Sequence, residues 1–96
     1  MDWQLVFTDH YRRREHHFLQ HHPELQHQYA KALALLQANP HHPSLRLHEI
    51  EGERHGLHSA AINLSYRIAV ELQVHEHTIT PVDVGDHDEV YHGDSP

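Results

Sequence analysis

The stretch Tyr66-Arg67-Ile68-Ala69-Val70-Glu71-Leu72-Gln73-Val74 (YRIAVELQV, residues 66–74) changes sides at every residue. Tyr66, Ile68, Val70, Leu72 and Val74 point one way along an extended chain, and Arg67, Ala69, Glu71 and Gln73 point the other. That alternation predicts an antiparallel strand with one buried and one solvated face. Working outward, the same period predicts strands over 45–50, 57–64 and 77–84. Gly52 to Gly56 reads as a turn, and His75-Glu76 as a tight hairpin connection. Pro81 has no amide hydrogen to donate, so its strand is an edge or carries a bulge there.

Before residue 41 the apolar period is 3.6 rather than 2. Leu25, Tyr29, Ala32, Leu33 and Leu36 follow one another as a helical stripe, opened by Pro23 and closed by Asn39-Pro40. An earlier helix starts at Thr8 or Asp9 as cap and runs to about Gln20, with Tyr11 and Phe18 on its apolar side. Trp3 to Thr8 is rich in aromatic and β-branched residues and reads as a short strand. The predicted architecture is α+β. A strand and a helical hairpin pack on one face of a mainly antiparallel sheet of four to five strands, within a single domain over 1–96. The opposite sheet face is expected to stay open, and the segment after Gly85 to be a polar tail anchored by Val90 and Tyr91.

Composition narrows the chemistry. The absence of cysteine rules out disulfides, thiol catalysis and cysteine-ligated metals. No apolar run approaches the ~18 residues of a membrane span, and no basic-then-apolar leader opens the chain, so a soluble cytoplasmic protein with no membrane contact is expected. Seven Lys and Arg against 14 Asp and Glu give a net charge of −7, which disfavours non-specific nucleic-acid binding. Fifteen histidines modify this, because half protonation near pH 6.5 adds about 7 charges and cancels the deficit.

Alternation places Arg67 on the open face, and burial of Leu45 and Leu47 would send Arg46 and His48 to the same side. His87 and Tyr91 follow the last strand closely enough to fold back over its rim. Two guanidiniums, two imidazoles and a phenol suit phosphodiester chemistry without a metal or cofactor. Arginine forks hold the phosphate, histidine moves a proton, and an aromatic ring stacks a base. Plainer roles stand beside these. Arg67 can pair with Glu71, Tyr91 can pin the tail, His87 can pair with Asp86 or Asp88, and Arg46 and His48 can be exposed strand residues. His17 and His21, spaced i, i+4, are a surface pair able to take up zinc or nickel adventitiously. The Arg12–Arg14 run is either a solvated helix face or a contact for phosphate or an acidic partner.

The segments Leu47-His48-Glu49-Ile50-Glu51-Gly52, Gly56-Leu57-His58-Ser59, Ser65-Tyr66-Arg67-Ile68 and Val84-Gly85-Asp86-His87-Asp88-Glu89-Val90-Tyr91 occur in an ordered series. With the strand and helical hairpin before them, they resemble the RelE/ParE superfamily of type II toxin–antitoxin toxins, in its YafQ/RelE-like branch, over nearly the whole chain. The resemblance implies a metal-independent endoribonuclease that cuts mRNA on the ribosome and is silenced by a cognate antitoxin. DNA would be contacted only through the antitoxin complex. By position, Arg67 would stabilise the phosphate, His87 act as general acid or base, Tyr91 stack or donate a proton, and His48 be a second base. Arg46 would help bind substrate. Ala61 and Ser65 depart from the branch, standing where it has further catalytic residues, and Glu49 and Glu51 replace a lysine-rich stretch. A ParE-like gyrase inhibitor and a non-toxic member acting only by binding are the alternatives.

Overall fold

The computed structural model describes residues 2–92, in the order β1 (Gln4–Leu5), α1 (Asp9–His21), α2 (Gln26–Ala38), β2 (His48–Glu49), β3 (His58–Ala61), β4 (Tyr66–Gln73), β5 (Thr78–Asp86) and α3 (His87–His92). The five strands form one sheet in the order β1-β5-β4-β3-β2, with β1 parallel to β5 and the other pairs antiparallel. The α+β architecture expected from the alternation of periods is therefore the observed one. No helix among the described residues is long and apolar enough to cross a membrane.

Each helix begins where its sequence allows. Thr8 accepts a hydrogen bond from the Tyr11 amide on Oγ1 (3.1 Å), and Asp9 sits in the first turn, where a carboxylate suits the helix dipole. After α1 a short 3₁₀ turn, Pro23–Leu25, leads into α2, which stops before Pro40. Tyr11 and Phe18 of α1 and Tyr29, Ala32 and Leu36 of α2 turn inward onto Ile68 and Val70 of β4 and Ile79 and Val84 of β5. Each such large side chain, fully buried, contributes about 1.5–3 kcal/mol. The Phe18 ring meets Tyr66 edge-on at 5.6 Å, which ties α1 to the start of β4.

One polar chain runs through this core. The Glu15 carboxylate can only accept, so the Tyr29 hydroxyl donates to it (2.6 Å), and Tyr11 in turn donates to Tyr29 (2.7 Å). Arg12 closes the series on Glu15 (2.8 Å) while its guanidinium lies 3.9 Å from the centre of the Phe7 ring. Burial, ahead of the neighbouring charge of Glu15, pushes both phenols well above the ordinary tyrosine range.

Several expectations are corrected. The predicted strand over 45–50 shrinks to His48–Glu49, because a 3₁₀ turn occupies Pro43–Leu45 and Arg46 takes a left-handed conformation (φ 46°). The strand over Trp3–Thr8 shrinks to Gln4–Leu5, and that over 57–64 to His58–Ala61. Pro81 is accommodated as anticipated, since the β4–β5 register slips by one residue between Ala69 and Val70, opposite Pro81 and Asp83. Most consequentially, residues 87–92 are helical, and the sheet face away from the hairpin is partly covered. There Ile50, Ala69 and Val90 form a second buried cluster with Leu57 and Tyr91 packed against it. The expected tail beyond residue 92 lies outside the described residues.

Tyr29→Phe removes a donor to a part-buried carboxylate and the acceptor of Tyr11. It is expected to lower unfolding free energy by about 1–3 kcal/mol, measured by urea unfolding followed through Trp3 fluorescence. Because both phenol pKa values are raised on folding, the linked stability is fully present below about pH 10 and is lost as pH rises further. The wild-type urea midpoint should therefore fall above pH 10, and fall less in Tyr11→Phe.

Candidate functional site

The helix α3 exists because its first turn caps itself. Asp86 accepts from the Glu89 amide on Oδ1 (2.9 Å), and Glu89 accepts from the Asp86 amide on Oε1 (3.0 Å), a reciprocal box spaced i, i+3. Gly85 leaves room for this. A Cβ there would lie 2.5 Å from Glu89 Oε1 and 3.0 Å from its Cβ. The spacing Asp86-x-x-Glu89 was the signal by which the sequence announces a helix rather than a tail.

The turn of α3 brings three of the expected residues into contact. His48 donates from Nδ1 to the Arg46 carbonyl (3.0 Å), which fixes the proton on that nitrogen and leaves Nε2 as an acceptor. The Tyr91 hydroxyl donates to that Nε2. The His87 ring stacks on that of Tyr91, 4.0 Å away and 13° from parallel. All three rings remain accessible: His48 and His87 are exposed and Tyr91 is half-buried. Two imidazoles are thus joined through one phenol beside the cluster of the second sheet face.

Arg67 lies on the same face, paired in the ladder with Gly85 of β5 and Ala61 of β3, and its Nη1 donates to the buried Ser59 hydroxyl (3.5 Å). Two plainer alternatives are not what the geometry adopts. Glu71 accepts from Gln73 (2.8 Å) instead of pairing with Arg67, and Asp86 is committed to its cap. His87 Nδ1 does lie 3.7 Å from Asp88, an ion pair only when the ring is protonated. Arg46 is not gathered into the cluster. Its side chain is exposed and, among the described residues, makes no hydrogen bond or ion pair, because the left-handed backbone there breaks the alternation that would have aligned it with His48.

The sequence reading missed a second group. Asp83, 2% exposed, accepts from Arg14 Nε on Oδ1 (2.9 Å), and its Oδ2 lies 3.3 Å from Arg54 Nη1. Arg54 also donates to the Val90 carbonyl in α3 (3.1 Å). The arginine run thus divides, with Arg12 on Glu15, Arg14 on Asp83 and Arg13 exposed. His17 and His21 lie with rings 4.2 Å apart, and His21 Nδ1 is engaged with the His17 carbonyl (2.9 Å). Among the described residues no three His, Asp or Glu side chains are grouped to hold a metal ion.

Glu89→Ala is expected to lower unfolding free energy by about 1 kcal/mol and Glu89→Gln by less, since the amide oxygen still accepts. Gly85→Ala should resemble Glu89→Ala, because its Cβ displaces the same cap; urea unfolding at pH 7 compares the three.

No protein-family model matches this sequence, and no curated protein matches it. Solved structures do. The toxin in the Escherichia coli DinJ–YafQ toxin–antitoxin complex superposes with a TM-score of 0.73 at 13% identity, covering 95% of this chain and 99% of that one. A YoeB/ParE toxin from Agrobacterium tumefaciens gives 0.68 at 14% identity, over 88% and 98% of the two chains. A chain of the RelBE2 toxin–antitoxin complex from Mycobacterium tuberculosis gives 0.59 at 19% identity, over 91% and 100%. At such identities the likeness is one of backbone, and it is nearly end to end: this chain has the RelE/ParE-like toxin fold, in the form that YafQ also takes.

Proposed function

We propose that this protein is the toxin of a toxin–antitoxin pair and cleaves mRNA on the ribosome without a metal. The observation that carries the reading is the contact of His48, Tyr91 and His87, with His87 two residues beyond Gly85, the ladder partner of Arg67. The likeness to toxins solved in complex with antitoxins, DinJ–YafQ and RelBE2, supports an antitoxin partner of the same kind.

The chemistry follows from the proton inventory. His48 Nε2, swung free of the Tyr91 hydroxyl by an entering ribose, takes the proton of the 2′-hydroxyl. The 2′-oxygen attacks the adjoining phosphorus, and the Arg67 guanidinium offsets the charge that gathers on the phosphate oxygens. His87, protonated, gives its proton to the departing 5′-oxygen, leaving a 2′,3′-cyclic phosphate and a 5′-hydroxyl. Tyr91, in contact with both imidazoles, supplies the aromatic ring on which a base would stack. With a chain charge of −7, this face depends on Arg67 and on protonated histidine for its attraction to RNA.

Inducible expression without antitoxin is expected to arrest growth and to produce new transcript ends within coding sequence. The double variant His87→Ala, Tyr91→Ala should lose at least about 100-fold of that cleavage, and Arg67→Ala a comparable factor. Growth arrest with unaltered transcript ends overturns the nuclease reading. DNA damage that persists in Arg67→Ala and His87→Ala would assign the arrest to gyrase instead, and harmless expression would leave a binding protein.

A further inference from the structure

A helix of six residues does not hold itself in water, so the direction in which α3 presents Tyr91 must be set from outside. Its first turn is fixed by the Asp86–Glu89 box and Val90 is seated against Ile50 and Ala69. Among the described residues, the carbonyl of Val90 in its last turn accepts from Arg54 (3.1 Å). Arg54 ends the 3₁₀ turn Gly52–Arg54, which begins three residues beyond the short strand that carries His48. It is itself held by Asp83 of β5, whose other oxygen is held by Arg14 of α1. A carboxylate 2% exposed needs such cationic partners, and leaving it there without them is costly. One guanidinium therefore joins the loop after His48, the strand before His87 and the helix bearing Tyr91.

We propose that Arg54 is a positioning residue for the site: anchored on Asp83, it holds the Val90 carbonyl and so sets the angle at which α3 presents Tyr91 to His48 and His87. Arg54 touches no reacting atom; it acts through Tyr91. The role in RNA cleavage rests on the function proposed above, whereas the anchoring of α3 does not, and the two are separable by experiment.

The test uses the full chain carrying Arg54→Ala or Arg54→Gln, the latter keeping an N–H for Val90 without the charge for Asp83. Leu33→Ala, which trims the hairpin side of the core outside the cluster that holds Val90, is the control for general loss of stability. Amide hydrogen exchange compares residues 90–92 with residues 68–70 in β4. Arg54→Ala is expected to speed exchange at 90–92 by about tenfold relative to 68–70, with Arg54→Gln intermediate and Leu33→Ala leaving the ratio as in wild type. The His87 ring protons, shifted by the stacked Tyr91 ring, should move in Arg54→Ala toward their positions in Tyr91→Leu. An unchanged exchange ratio together with unmoved His87 resonances overturns the anchoring. In RNA cleavage, Arg54→Ala should lower kcat by about 10–100-fold with KM little changed, as displaced rather than missing groups do. A wild type that cleaves no RNA ends the nuclease reading and leaves the exchange result to decide the anchoring. A wild type that cleaves, with Arg54→Ala equally fast despite a loosened α3, overturns the positioning role.

Discussion

A strand buried on both faces constrains everything packed around it. Ile68 and Val70 of β4 are fully buried beneath the helical hairpin, and Ala69 between them is fully buried on the other side, against Ile50 and Val90. The first face needs bulk to fill the space below two helices. The second allows only a small residue, since α3 and the loop carrying Ile50 come down directly onto it. A larger side chain at 69 would lift both, and with them the contact between His48 and Tyr91. The geometry of the candidate site is thus set by one methyl group in the middle of the sheet as much as by the polar residues that form it.

Charge is distributed to match. The chain carries an excess of acid, but among the described residues the carboxylates that enter the packed interior, Glu15 and Asp83, are each met by arginine and by neighbouring donors. Burying a carboxylate is tolerable only on those terms. Both networks start from α1. One binds it to α2 through the tyrosine pair, and the other ties it through β5 to the loop and helix of the second face. Most histidines remain at the surface.

How much of this was readable from the chain varied with the range of the interaction. The alternation in 66–74, the stripe from Leu25 to Leu36 and the caps at Thr8 and Asn39-Pro40 are local statements, and the strands and helices they predict are present. The strand predicted over 45–50 failed because its apolar residues serve two different faces. Leu45 belongs to the core under the helices and Ile50 to the cluster under α3, and the left-handed turn at Arg46 lets the chain pass between them. The helix α3 was overlooked because its apolar content is only Val90 and Tyr91, too little for periodicity to register, although the Asp86–Glu89 box stood in plain view. Arg14 and Asp83 are 69 residues apart, and no spacing rule links them.

The sequence by itself determined the order and type of the main elements and which side of each turns inward, because those depend on neighbours three or four residues away, or two. It also determined which side chains are chemically able to move a proton or hold a phosphate. Only the tertiary structure decided that the second sheet face is half closed, that His48, Tyr91 and His87 meet while Arg46 stays apart, and that a buried aspartate and an arginine lock the last helix in place. Those outcomes depend on packing and ion pairing between segments distant along the chain, where the free energy is fixed by three-dimensional fit and desolvation rather than by local pattern.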